Sequence, residues 1–161
     1  MVVVREATPE DWQVMRDTRM AALREAPQAF ASTVEREAAY SERKWRAWTQ
    51  VSGRGVMYLA ETDGLPEPAG IAGIVVADGA ADLIAMWVRP AARGQKVGEA
   101  LIEAATEWAR SRGYAAVSLW VTESNAPARH LYERCGFTPT GERQPLPSDP
   151  AIPEVKMTRP L

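Results

Sequence analysis

The chain is poor in several of the residues that chemistry most often relies on. Its 161 residues include one cysteine, Cys135, and one histidine, His130. A lone thiol forms no internal disulfide, so nothing speaks for an oxidising compartment. One histidine and one cysteine also build no zinc cluster, and no metal is expected. On a shared helix the two lie roughly 140° apart at about 100° per residue, which rules out a nucleophile–base pair. Long apolar runs are missing too, with none near the ~18 residues that cross a bilayer. Met1 to Glu10 lacks the basic-then-apolar layout of a secretion signal. Positive charge is not in excess: 19 Lys and Arg stand against 21 Asp and Glu, a net −2. That balance argues against nucleic acid as a partner. The expectation is a cytoplasmic protein with neither a membrane nor a nucleic-acid partner, either monomer or homodimer.

What remains is ordinary globular material. Apolar residues make up 46% and charged residues 25%, enough to bury one core, and residues 1–161 read as one domain. Val2 to Val4 reads as a first strand. Thr8-Pro9-Glu10-Asp11 is a helix start: a capping hydroxyl, a proline suited to the first helical position, and an acid three residues on. That helix ends at Pro27. Phe30 to Tyr40 reads as a loop with a helical turn. A second helix starts at Ser41, places Trp45 and Trp48 on one side, and closes at Gly53. Three strands follow over Val56–Glu61, Gly70–Ala77 and Leu83–Val88, with short turn-rich connections that favour antiparallel neighbours. Val97 to Arg112 has a long amphipathic helical pattern, capped by Gly113. Ala116 to Val121, reached by that helical crossover, is expected parallel to its predecessor. A short helix capped by Ser124 or Asn125 runs to Cys135. Phe137–Glu142 and Val155–Arg159 read as closing strands around a proline-rich loop, Gln144 to Pro153. The fold class is α/β (α+β): a mixed, mostly antiparallel twisted sheet of six to seven strands flanked by about four helices.

One corner organises this chain. An apolar strand ends at Arg89-Pro90, a basic glycine-containing loop comes next, and a helix begins at once. Such a corner aims unpaired helix N–H groups and the positive dipole end at whatever sits over the loop. Arg89, Arg93 and Lys96 add charge there. The site suits a phosphorylated ligand, although Arg93-Gly94-Gln95-Lys96-Val97-Gly98 is neither a P-loop nor a dinucleotide fingerprint.

A second constellation identifies the ligand. Asn125-Ala126-Pro127-Ala128-Arg129-His130-Leu131-Tyr132-Glu133-Arg134-Cys135-Gly136-Phe137 comes after the crossover strand. Here the sequence resembles the GNAT superfamily of N-acetyltransferases. Asn125, Ala128, Tyr132, Gly136 and Phe137 match that family's Asn-x-x-Ala-x-x-x-Tyr-x-x-x-Gly-Phe at every fixed position. Arg93 and Gly98 match its Gln/Arg-x-x-Gly-x-Gly/Ala. Lys96 stands where the family has its middle glycine, and its charge has the sign for a phosphate contact.

The resemblance implies acetyl-CoA as co-substrate and a direct transfer of its acetyl group to a primary amine, with a small-molecule amine as partner. Protein N-termini or lysines are the alternative acceptors, and a non-catalytic acyl-CoA-binding module is the alternative class. It further implies a pantetheine arm along Met86, Trp87 and Val88, between strands splayed past a bulge. Remaining cofactor contacts are expected from Gly94, Gln95, Val97 and Glu99 of the loop and helix start, joined by Arg93, Lys96 and Gly98, and from Asn125, Arg129 and Tyr132. Tyr132 is the candidate acid: an ordinary tyrosine, with a pKa near 10, holds a proton to give a thiolate whose thiol titrates near 8.5. The attacking amine must lose a proton to a carboxylate or to water held by one. Asp82, Glu123, Glu35 and Glu37 are candidates, Glu123 at the fifth strand's end first among them, and each otherwise reads as a solvated surface acid. Phe30, Trp45 and Trp48 are candidate walls of the acceptor pocket. His130 falls about 160° from Tyr132 on its helix and is expected to be exposed.

Overall fold

Three consecutive valines open the chain as β1 (Val2–Glu6), and Arg5 of this strand fixes the start of the first helix. Its guanidinium grips both oxygens of Asp11 at 2.9 and 3.0 Å, while the Thr8 N–H donates to the same carboxylate at 2.8 Å. The expected capping pair therefore forms. It starts a short 3-10 turn, Pro9–Asp11, that leads into α1 (Trp12–Glu25). The computed structural model describes residues 1–50 and 54–161. Gly53, expected to close a helix, lies outside them.

Between α1 and the sheet lie two further helices, α2 (Val34–Ala38) and α3 (Glu42–Thr49). The expected loop at 30–40 thus holds a true helix, because Thr33 caps it by accepting from the Arg36 N–H at 3.1 Å. Ser41 does the same for α3, accepting from the Lys44 N–H.

The rest is one seven-stranded sheet with helices on both faces. Its strands are β2 (Gly55–Thr62), β3 (Gly70–Ala77), β4 (Ala80–Val88), β5 (Ala116–Thr122), β6 (Thr138–Leu146) and β7 (Asp149–Pro160), in the order β1-β2-β3-β4-β5-β7-β6. Only β4 and β5 run parallel, joined through α4 (Val97–Ser111), as the crossover demands. A fifth helix, α5 (Ala126–Arg134), connects β5 to β6. Five α-helices and three short 3-10 turns are described, against about four helices expected.

The proline-rich stretch expected as a loop is instead strand almost to its tip. Only Pro147 and Ser148 turn, and Pro145 pairs with Pro153. The physical reason is position: Pro145 lies on the edge strand β6, and Pro150 and Pro153 lie on the part of β7 beyond its pairing with β5, which ends at Glu154, so each has an open side where a proline forfeits no ladder bond.

Apolar residues on the two sheet faces make two cores. Leu101, Ile102 and Ala105 of α4 pack with Ile74, Leu83, Leu119 and Met157 on one face. Met15, Leu23 and Trp45 pack with Leu59, Ile71 and Trp87 on the other. Among the described residues no helix is long and apolar enough to cross a membrane.

Candidate active site

The site begins with one extra residue in β4. Along β3 the step from Ile71 to Gly73 spans two residues; opposite them β4 runs three, from Trp87 back to Ile84. The surplus is a bulge, and Ala85 within it takes a left-handed φ of +57°. A bulge sharpens the local twist, and β4 accordingly leaves its parallel neighbour. The β4–β5 register holds only at Ala81–Val117 and Asp82–Ser118. Beyond that, Leu83–Val88 and Leu119–Thr122 face each other without a ladder. This opens a gap lined by unpaired backbone, the shape expected for an amide-bearing arm at Met86–Val88. The Trp87 side chain takes no part, being buried in the α1–α3 core.

At the end of β4 the loop turns through two left-handed residues, Gly94 (φ +83°) and Lys96 (φ +63°), directly into α4. Lys96 occupies the N-cap position but offers no side-chain acceptor, so the first turn's N–H groups stay available to an anion. Val97 and Gly98 are buried, whereas Arg93, Gln95 and Lys96 are exposed and Glu99 is partly covered. Gly98 has a packing reason. A Cβ there would lie 2.8 Å from Leu131 of α5 and 3.2 Å from the Met86 side chain, so α4, α5 and β4 converge on it. Arg93 is engaged on the protein side: its Nε donates to the Val88 carbonyl at 3.1 Å, and its terminal nitrogen pairs with Glu25 at the end of α1. Gln95 reaches back to the Ala91 carbonyl.

The third wall is α5, where each motif residue has a local task. Asn125 caps the helix by accepting from the Ala128 N–H at 3.3 Å. Gly136, at φ +91°, ends it as a left-handed residue. Phe137 returns into the core, its N–H donating to the Tyr132 carbonyl and its ring edge-on to Tyr132 at 5.9 Å. Tyr132 is thereby locked and nearly buried. Burial, with a smaller contribution from Cys135, pushes its pKa well above the ordinary 10. Arg129 serves the local backbone, donating to the Glu123 carbonyl at 3.0 Å. His130 is exposed.

Past the end of β5 lies a cleft of about 400 Å³, bounded by Glu25, Ala26 and Pro27 on one side and Thr122, Ser124 and Asn125 on the other. A second, of about 460 Å³, lies beside it between the α1–α2 segment and the β6–β7 tip, with Glu35 and Ser148 on its rim. The first of these clefts meets the gap at Thr122.

The carboxylates sort unequally. Glu123 pairs with Arg143 at 2.6 Å. Asp82 sits at the last β4–β5 pair, before the gap, and burial raises its pKa against the lowering effect of Lys156. Glu37, expected as a surface acid, is almost fully buried. Arg19 binds both its oxygens at 2.8 and 3.0 Å, because α1 and α2 close over the pair. The same guanidinium lies over the rings of Phe30 (4.7 Å) and Trp48 (5.1 Å). Phe30 and Trp48 therefore pack around Arg19, Trp45 is fully buried behind Trp48, and none of the three lines either cleft. Neither Glu25 nor the buried Glu154 was singled out by sequence. Each is an acid in unremarkable context, made significant only by residues far along the chain.

A family model described as the acetyltransferase (GNAT) family matches residues 17–137. A mycothiol acetyltransferase from Beutenbergia cavernae is 35% identical over 116 residues, 69% of this chain and 38% of that protein. A putative ribosomal protein bS18-alanine N-acetyltransferase from Bacillus subtilis is 36% identical over 76 residues, 47% of this chain and 50% of its own length. The chain thus spans half or less of these relatives. Among solved structures, a GNAT-family acetyltransferase from Streptococcus pneumoniae shares the fold with a TM-score of 0.83 at 21% identity, covering 100% of this chain and 99% of that one. The PaiA N-acetyltransferase from Thermoplasma acidophilum, solved with coenzyme A, gives 0.74 at 16% identity, covering 100% and 99%. Together with the bulge, the gap and the Asn125–Phe137 helix, the family match settles the kinship: the chain belongs to the acetyltransferase (GNAT) family.

Proposed function

We propose that residues 1–161 form one catalytic domain that transfers acetyl from acetyl-CoA directly to a primary amine, in the cytoplasm where that thioester is made. The single observation that carries this is the unpaired gap after the Ala85 bulge, flanked by the left-handed loop of α4 and by Tyr132. The fit to acetyl-CoA is physical. Donor-rich backbone at Lys96–Gly98 suits the pyrophosphate, with Arg93 and Lys96 at hand; the edges at Met86–Val88 suit the amides of pantetheine. Bound acetyl-CoA supplies an activated acyl carbonyl and a thiol leaving group. This chain's residues do the rest: the gap orients the carbonyl toward the clefts, and Tyr132 holds a proton for the departing sulfur. Its raised pKa keeps that proton in place through pH 10, and burial of the thiolate raises the sulfur's own demand for it. Glu123 at the end of β5 is the proton acceptor of this reading, in competition with Arg143.

A small-molecule amine is the acceptor favoured, since the clefts are modest in volume. A protein N-terminus is the second reading, favoured by the bS18-alanine relative. The test is release of free thiol from acetyl-CoA with spermidine, 1,5-diaminopentane, alaninamide and a peptide beginning with alanine. Tyr132→Phe should slow turnover about 100-fold or more while acetyl-CoA affinity changes less than twofold. Tight acetyl-CoA binding with no thiol release from any amine would leave only a binding module.

A further inference from the structure

We infer that the cleft between the α1–α2 segment and the β6–β7 tip holds the α-amino acid end of the acceptor, so that the nitrogen acetylated is the far, side-chain amine of a diamino acid. This rests on the acetyltransferase reading and deepens it, since that reading requires only an amine at the gap. The two clefts are not separate. Pro27 and Gln28 line both, which makes one trough running from Thr122 and Asn125, at the gap, to Ser32 and Ser148, at the hairpin tip. The near part offers no free charge, because its one ionic residue, Glu25, is paired with Arg93. The far part, of about 460 Å³, has polar groups that the fold leaves unused.

Ser32 lines this far part, and its hydroxyl oxygen is buried with no hydrogen-bond partner among the described residues. A buried hydroxyl left unpaired costs free energy that a ligand group can recover. Arg24, in the last turn of α1, lines the same part; it is exposed and makes no hydrogen bond or ion pair among the described residues. A guanidinium and a hydroxyl are a donor set for a carboxylate, the arginine fork matching both oxygens. The cleft also holds Glu35, in the first turn of α2, and Asp149, at the start of β7. Neither makes an ion pair among the described residues, and Asp149 accepts only the Ala151 N–H of its own turn, at 3.3 Å. Helix ends favour the signs of Arg24 and Glu35, but that does not explain why one cleft keeps both signs unpaired. A ligand group carrying both signs does: its carboxylate meets Arg24 and Ser32, its ammonium Glu35 or Asp149. A lone cation would leave Arg24 and Ser32 without a partner, and a lone anion would meet two carboxylates. Between the two ends the trough is lined by Ala26, Pro27 and Ala29, a surface for methylenes rather than charge. A free α-amino acid whose chain carries a second amine to the gap has this layout. There the thioester's C–S bond breaks as its carbonyl carbon bonds to the side-chain nitrogen. Of the two protons that ammonium sheds, one ends on the thiol through Tyr132 and one leaves to water.

Three matched compounds test this without any variant: free lysine, 1,5-diaminopentane, which lacks only its carboxylate, and 6-aminohexanoate, which lacks only its α-amine. Titration calorimetry on protein saturated with coenzyme A should show lysine binding about 10-fold or more tighter than either. Arg24→Gln should then weaken lysine about 10-fold and 1,5-diaminopentane less than twofold, and Ser32→Ala should weaken lysine about 3- to 10-fold. With acetyl-CoA, lysine should release thiol and carry the acetyl group on its side-chain nitrogen, read by mass spectrometry of the product. Equal affinity for the three compounds, an Arg24→Gln that weakens 1,5-diaminopentane as much as lysine, or acetylation at the α-nitrogen would overturn the inference. So would thiol release from other amines with lysine left unbound, an outcome under which the transfer reading stands alone. Lysine bound through Arg24 with no thiol release would sustain the amino acid site while sinking the transfer reading.

Discussion

Lys96 occupies backbone that suits glycine, with φ +63° and ψ +24°. For an L-residue that conformation costs about 1–2 kcal/mol, and a glycine would return part of that gain through its more disordered unfolded state. Charge is the compensation: the side chain projects from an exposed position at the positive end of α4, beside the backbone proposed for the pyrophosphate. Lys96→Gly should therefore separate two quantities that usually move together. The melting temperature should rise by about 1–4 °C, read by calorimetry. Acetyl-CoA affinity, read by titration calorimetry, should fall about 3- to 10-fold as a charge-assisted contact is lost. A Lys96→Gly protein that binds as tightly as the wild type would mean the lysine serves only the loop.

Helix and strand ends carry much of the local specification, and the junction of β1 with α1 shows it. Arg5 and the Thr8 N–H both act on Asp11, and the guanidinium first, then that N–H, hold its carboxyl below the ordinary 3.8 against a raising effect of burial. A depressed folded-state pKa stabilises above the unfolded value and loses that stabilisation as pH falls through the folded one. Asp11→Asn should thus cost about 1–2 kcal/mol at pH 7, with the gap to wild type constant above pH 5 and closing below pH 4 in denaturant titrations. This junction was readable in Thr8-Pro9-Glu10-Asp11 because a cap is a contact within one turn. So were Asn125 and Gly136, whose capping roles need only local geometry. The α2 helix was not, since five residues with one cap leave little periodicity to read. The β6–β7 hairpin was hidden by its prolines, which exclude a central strand but not an edge. Glu37 and Glu154 were beyond reach for a different reason: burial of an acid depends on which distant element closes over it. Arg19 lies 18 residues from Glu37, and Thr122 lies 32 from Glu154.

At the scale of the molecule, the sheet is two halves joined by little. β1–β4 and β5–β7 are each laddered, apart from the β4 bulge and the register shifts of β6–β7, but only two register pairs connect β4 to β5. Further links are the α4 crossover, the α4–α5 contact at Gly98 and the hydrogen bond from the Ser148 hydroxyl to the Phe30 carbonyl. A ligand bound in the gap would touch both halves, and its binding energy adds directly to stability. At 100 times Kd the gain is about 2.7 kcal/mol, or about 5–10 °C for a chain of this size. Melting temperature alone would not show where acetyl-CoA lies, because any folded-state ligand raises it. Hydrogen exchange does. Backbone N–H groups of Leu83–Val88 and Leu119–Thr122 that face the gap have no ladder partner, so they should exchange early in the free protein. Acetyl-CoA should slow both stretches together with the Arg93–Gly98 loop. Adenosine diphosphate, which carries the pyrophosphate and no pantetheine arm, should protect the loop alone. Protection confined to the loop with both ligands would place the arm outside the gap and remove the reason for the bulge at Ala85.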